Sequence, residues 1–271
     1  MIAMFILLAT LAVDGSTASS AELADICLRA EEAYHAGLEA RADAKIARPL
    51  FRQAAADYER LWQLGVRNPL VARNMAQAHF LAGDLGRSIR AYHLGLRLAP
   101  HDKDLHSGLS FAREKVSYPV AGNLAESCQP RDQSSMLRIA SADVFRCIAA
   151  GLYLFAFLAF ARAWMTRRPI WWTFGGLLIA SAGVVMGGLV REEMHRIDDN
   201  RLSLVVVEAN DTPLRRGNSA EYPLRLGDRL PAGVELRVLS ERGGWLQVQL
   251  AGGEIGWLER ERVVTVKTKG M

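Results

Sequence analysis

From Cys147 to Val190 the chain reads CIAAGLYLFAFLAFARAWMTRRPIWWTFGGLLIASAGVVMGGLV, and no other stretch limits its fold so severely. The second half carries no charge from Pro169 to Val190, which matches the run of about 20 apolar residues that crosses a bilayer as a helix. The first half is shorter, since Arg146 and Arg162 bracket its uncharged core. A full span there requires Arg162 to snorkel toward the headgroups; the alternative is a buried globular helix. Between the halves lie Arg162, Arg167 and Arg168 with no acid, and Trp164, Trp171 and Trp172 stand close by. Arginine-rich turns stay cytoplasmic and tryptophans prefer the interface. The expectation is a helical hairpin, residues 143–165 and 170–190 joined by a turn at 166–169. Its turn faces the cytoplasm, and both flanking arms lie on the far side of the membrane.

The first residues support export. An apolar core from Ile2 to Val13 passes into the small residues Ala18, Ser19, Ser20 and Ala21, the order of a secretory signal peptide over residues 1–20. Basic residues before that core are missing, so an uncleaved anchor is the alternative. Arg131, Arg138, Arg191, Arg196 and Arg201 would lie outside in this topology, so the export signal carries the orientation more than arginine counting does.

At 271 residues the chain has room for two small domains, one on each side of the hairpin. The net charge of +4 is spread thinly, with no basic stripe of the kind that binds nucleic acid. Of three cysteines, Cys147 falls inside the first span. Cys27 and Cys128 share one compartment, which allows either a disulfide or two free thiols. The six histidines have no second ligand at metal spacing, and no HExxH, paired CxxC, GxxxxGK or GxSxG occurs. No metal, cofactor or catalytic residue is expected.

The first arm, residues 21–118, is rich in Ala, Leu and Arg with apolar residues at helical spacing. Asn68 to Asp102 divides into two amphipathic helices about Gly83-Asp84 and stops at Pro100. With Met75, Ala76, His79, Ser88, Tyr92 and Gly95 between these breaks, it resembles a tetratricopeptide repeat, a unit of about 34 residues. A degenerate preceding unit carries Ala54, Tyr58 and Leu61, and a following half-unit carries Leu109 and Ala112. The resemblance implies an α-helical solenoid whose first helices line a peptide groove. Arg73, Asn74 and Gln77 are then candidate partner contacts, the alternative being a solvated helix face. Residues 119–142 and 191–200 read as linkers.

In the second arm, residues 201–268, LSLVVVEA, VELRVLS, WLQVQL and IGWLERERVVTV read as short strands between glycine-marked turns. The order ending in GGWLQV and GEIGWLE resembles a bacterial SH3 domain, a small all-β barrel. By that resemblance Trp245 and Tyr222 are candidate groove residues. Trp245 could serve equally as core; Trp257 could also line the groove but, flanked by Gly256 and Leu258, is expected rather in the core.

Signal segment, repeat stack, hairpin and barrel together resemble the BatE-like members of the bacterial aerotolerance (Bat) group. Their resemblance implies a multidomain, non-catalytic protein of the bacterial inner membrane with both large domains periplasmic. Von Willebrand factor A-type membrane proteins and a MoxR-type AAA ATPase would be its partners, in envelope or oxidative stress. Peptidoglycan bound by the barrel is the alternative. Within the second span, Gly176, Ala180, Gly183 and Gly187 share a helix face and are expected to pack on Ala149, Ala156 and Ala159 of the first.

Overall fold

The computed structural model describes residues 19–118, 128–130, 142–201 and 203–266. Most of the expected signal peptide and of the first linker lie outside them, while Ser19 and Ser20, counted in that signal peptide, open the first helix. The described residues form seven α-helices and a five-stranded antiparallel sheet. They divide into two compact units: the helical first arm together with the sheet, and the apolar hairpin.

Five helices make up the first arm: α1 (Ser20–Glu39), α2 (Ala44–Gln63), α3 (Pro69–Ala82), α4 (Leu85–Leu98) and α5 (Lys103–Glu114). Their starts are set by short polar side chains that accept otherwise unpaired amides. Ser19 caps α1, Asp43 caps α2, Asn68 caps α3 ahead of Pro69, and Asp102 caps α5 through two bonds of 2.9 and 3.1 Å. Helix α3 stops at Gly83, whose φ of +88° suits a residue without Cβ. The paired bonds Gly83 N–H to Phe80 O and Asp84 N–H to His79 O close its C-terminus.

Each helix packs on the next in the chain. Ala54, Ala76, Ser88 and Ala112, small residues of the repeat-like pattern, lie where the helices meet, and Ala72 and Ala91 join them. Ala54, Ala72, Ala76, Ala91 and Ala112 are fully buried, and the buried Ser88 hydroxyl donates to the Ala76 carbonyl at 2.8 Å. Around them Ile26, Leu61, Met75, Ile89 and Leu105 are buried, each worth about 2 kcal/mol in apolar transfer.

The sheet contains β1 (Ser203–Val207), β2 (Glu235–Arg242), β3 (Trp245–Gln249), β4 (Ile255–Glu259) and β5 (Val263–Thr265), in the order β4-β3-β2-β1-β5. Gly243 and Gly244, both at positive φ, make the two-residue turn between β2 and β3. Strand β2 is irregular between Val238 and Ser240. The end strands β4 and β5 do not pair with each other in this order. Instead, Arg215 in the long β1–β2 loop exchanges two 2.8 Å backbone bonds with Trp257, which covers the β4 edge.

Helix α6 (Ala142–Thr166) and helix α7 (Pro169–Arg201) form the hairpin, and Val144–Thr166 and Pro169–Val190 are long and apolar enough to cross a membrane. Residues 191–200, expected as a linker, continue α7. The two helices meet through Ala149, Ala156, Ala159 and Ala163 of α6 and Ala182 of α7, all buried, with Gly175 under the Phe160 ring. Gly176, Gly183 and Gly187 do not pack on α6: a Cβ built at each meets nothing within 4 Å. The alanines of α6 already fill the seam, and that turns the glycine face outward.

Candidate functional site

On the helical arm, α3 and α5 present a continuous face. Arg73 lies on it, but its Nη1 donates to Asp104 Oδ2 at 2.7 Å, so α5 already holds its charge. Asn74 is half-buried, and its side chain hydrogen-bonds the Tyr58 hydroxyl. Gln77 is exposed and uncommitted to any bond recorded among the described residues. Further along, the rings of Phe80 and Phe111 lie 5.3 Å apart, and Lys115 sits over Phe111, which is half exposed. This aromatic pair escapes a sequence reading because its two members are 31 positions apart, and each alone looks like a core residue.

On the sheet, burial alternates along β3 and β4. Leu246, Val248, Gly256 and Leu258 point inward, so Trp245, Gln247, Trp257 and Glu259 point outward. Since Trp245 pairs with Glu259 and Gln247 with Trp257, the two tryptophans are diagonal neighbours on the outer face. Trp257 is therefore not a core residue as expected; it is half-buried on the same face as Trp245. Tyr222 is 49% exposed, its ring lies against Gly217, and its carbonyl accepts from Arg215 Nη1 at 2.7 Å. Arg215, whose backbone pairs with Trp257, thus ties Tyr222 to the tryptophan face. Sequence spacing leaves Arg215 unmarked, since its pairing follows from how the loop folds.

The most elaborate polar cluster is the seam between the helices and the sheet. Its centre is dry: Val205, Val206, Ile89 and Val116 belong to one core. Gly86 of α4 lies so near β1 that a Cβ would fall 2.3 Å from the Val207 carbonyl oxygen. Around this contact, one stripe of α4 donates to the sheet. Arg87 pairs with Glu208 at 2.6 Å, Arg90 Nε donates to the Thr265 carbonyl at 2.9 Å, and Arg97 to that of Val266 at 3.3 Å. These bonds also occupy the β5 side of the sheet.

Glu235 on β2 is the anchor. Arg113 of α5 donates to both its oxygens, at 2.6 and 2.9 Å, and His93 Nε2 lies 2.8 Å from Oε2. Burial pushes this carboxyl up, but His93 and Arg113 outweigh burial and hold it at about 2. Beside the seam a cleft of about 370 Å³ is lined by Asp84, Arg87, Glu208 and Asn210 among others. Its charges are largely paired with one another. Deeper in, His79 is buried 3.9 Å from Glu59 and 4.0 Å from Asp84, with neither ring nitrogen hydrogen-bonded.

Cys27 and Cys128 are free thiols in separate surroundings. Burial, with Glu31 nearby, pushes Cys27 up to about 11; burial, with Glu254 nearby, pushes Cys128 up to about 12. Both are inert at neutral pH. Among the described residues no three His, Cys, Asp or Glu side chains converge as a metal would require. Compared with models of known families and with curated proteins, the chain matches none.

Proposed function

We propose that the chain is a non-catalytic scaffold of a bacterial inner membrane. Its helical face and its sheet are held on the periplasmic side and recruit envelope proteins. The observation that carries this reading is the shared core of the two arms. A chain that leaves one folded body, crosses a bilayer and returns to the same body must cross an even number of times. The two apolar helices, Val144–Thr166 and Pro169–Val190, supply that number. The arginine-rich turn supports a cytoplasmic tip.

The short antiparallel helix pairs with small residues at their crossings support a tetratricopeptide-type first arm, and the meander with its irregular β2 supports an SH3-like second arm. On that basis a BatE-like role beside von Willebrand factor A-type membrane proteins and a MoxR-type AAA ATPase is part of the proposal. Recovery of partners from detergent-solubilised membranes tests it. Because Arg73 and Asn74 have structural bonds, the informative variant is the full chain with Gln77→Ala and Phe111→Ala. Loss of envelope proteins that the wild type retains is expected; identical recovery from both would refute the helical face as the recruiting surface.

The outward Trp245, Trp257 and Tyr222 favour a second reading, a receptor for cell-wall peptide through the sheet. Sacculus retention of the full chain, lost on Trp245→Ala, would select it.

A further inference from the structure

The tip of the hairpin is built in a way that its fold alone does not call for. Helix α6 ends at Thr166 and α7 begins at Pro169, so only Arg167 and Arg168 join them. Arg167 stops α6 in the left-handed region, with φ of +52° and its amide donating to Ala163 O at 2.8 Å. Glycine or asparagine is the ordinary choice for that conformation, because a side chain there is strained. An arginine in this position costs stability and adds a charge at the outermost point of the turn. Arg162, one turn earlier in α6, is likewise exposed.

Among the described residues no carboxylate pairs with Arg162, Arg167 or Arg168, and the first turn of α7 holds no acid. The sequence has no Asp or Glu between Asp143 and Glu192, so the nearest in the chain are on the order of 30 Å away along either helix. Among the described residues, therefore, the three guanidinium groups have no carboxylate partner. Trp164, 79% exposed, and Trp172, 49% exposed, flank them, and such rings settle at the depth of lipid headgroups.

We infer that Arg162, Arg167 and Arg168 form a site for the phosphate of an anionic phospholipid headgroup. Charge complementarity selects the occupant: an acidic lipid supplies, at the depth fixed by the tryptophans, the negative charge the hairpin lacks. Guanidinium forks fit the phosphate oxygens of either lipid, but the cation of a zwitterionic headgroup is repelled by three arginines and an acidic headgroup carries none. The site rests on the reading of α6 and α7 as membrane spans.

Two measurements on the full chain keep the two claims apart. Co-flotation with pure phosphatidylcholine vesicles tests insertion alone. Native mass spectrometry after exchange into equal phosphatidylglycerol and phosphatidylcholine then counts the lipids that stay bound. Preferential retention of phosphatidylglycerol is expected, weakened about fivefold for each arginine replaced by glutamine, since one basic residue near an acidic surface is worth on the order of a factor of five. Arg167→Gly should lose retention while raising thermal stability, which a purely structural role for Arg167 would not produce. A chain that floats yet retains both lipids equally, or whose preference survives Arg162→Gln, Arg167→Gln and Arg168→Gln together, overturns the headgroup site and leaves the spans standing. A chain that fails to float overturns both.

Discussion

Two buried side chains in the helical and sheet body both weaken the fold in acid, for different reasons and in different pH windows. Glu235 has its carboxyl held at about 2 against an ordinary 4.5, because His93 and Arg113 outweigh the cost of burying it. A depressed carboxyl stabilises the fold above the unfolded value and loses that contribution as pH falls from about 4.5 toward 2. The shift corresponds to about 3 kcal/mol. Glu235→Gln should cost on the order of 3 kcal/mol at pH 7, because Arg113 loses its buried counter-charge, and should remove most of the dependence below pH 4.5. Chemical denaturation at several pH values would show both. His79 acts in a higher window. Desolvation lowers it below 6.5, Glu59 and Asp84 oppose that shift, and Arg87 and Arg90 reinforce it. The unfolded chain therefore takes up a proton below 6.5 that the folded chain resists, so stability declines as pH falls through that value. Since neither ring nitrogen is hydrogen-bonded, His79→Phe removes no bond. It should be near neutral at pH 7.5 and flatten the loss between pH 6.5 and 5, in the same denaturation series.

At the scale of elements, the contact between α4 and β1 is decided by one missing methyl group. Gly86→Ala would place a carbon 2.3 Å from a backbone oxygen, which only separation of helix and strand relieves. Despite alanine's better helix propensity, the expected cost is about 2 kcal/mol. Gly83→Ala, in open space at φ of +88°, should cost about 1 kcal/mol for the left-handed conformation alone. Equilibrium unfolding of the two variants separates close packing from backbone strain. Elements like these were legible in the sequence where their signals are local. The break at Gly83-Asp84 and the glycine turn at Gly243-Gly244 act within a few residues of themselves, whereas Ser19, read as the end of a signal peptide, is the cap of α1. The outward rotation of Gly176, Gly183 and Gly187 was not legible, because small residues mark a face without saying which neighbour fills it. Trp257 was misplaced for a related reason. Its alternation with Leu258 fixes opposite faces, and only the register with β3 says which is inside.

Across the whole molecule, the reading of two separate modules gives way to one body. The bonds that join helices to sheet, from Arg87 to Glu208, Arg90 to Thr265 and Arg113 to Glu235, link residues more than a hundred positions apart and leave no periodic trace. A lone Glu235 between Val234 and Leu236 was the available hint, since a buried charge requires a partner. The consequence is topological. If the arms share a core, an impermeant maleimide must reach both or neither from one side of the membrane. Cys27 and Cys128 are buried and held as thiols, so the folded chain with Cys147→Ser is a silent background. In that background Ser107→Cys on α5 and Ser240→Cys on β2, both exposed positions, should label together in intact spheroplasts. Thr166→Cys beside the hairpin tip should label only after the membrane is opened. Labelling of one arm without the other would separate the two halves of the core and remove the reason for an even number of crossings. Labelling at the tip alone would keep the shared core and reverse the side on which it works.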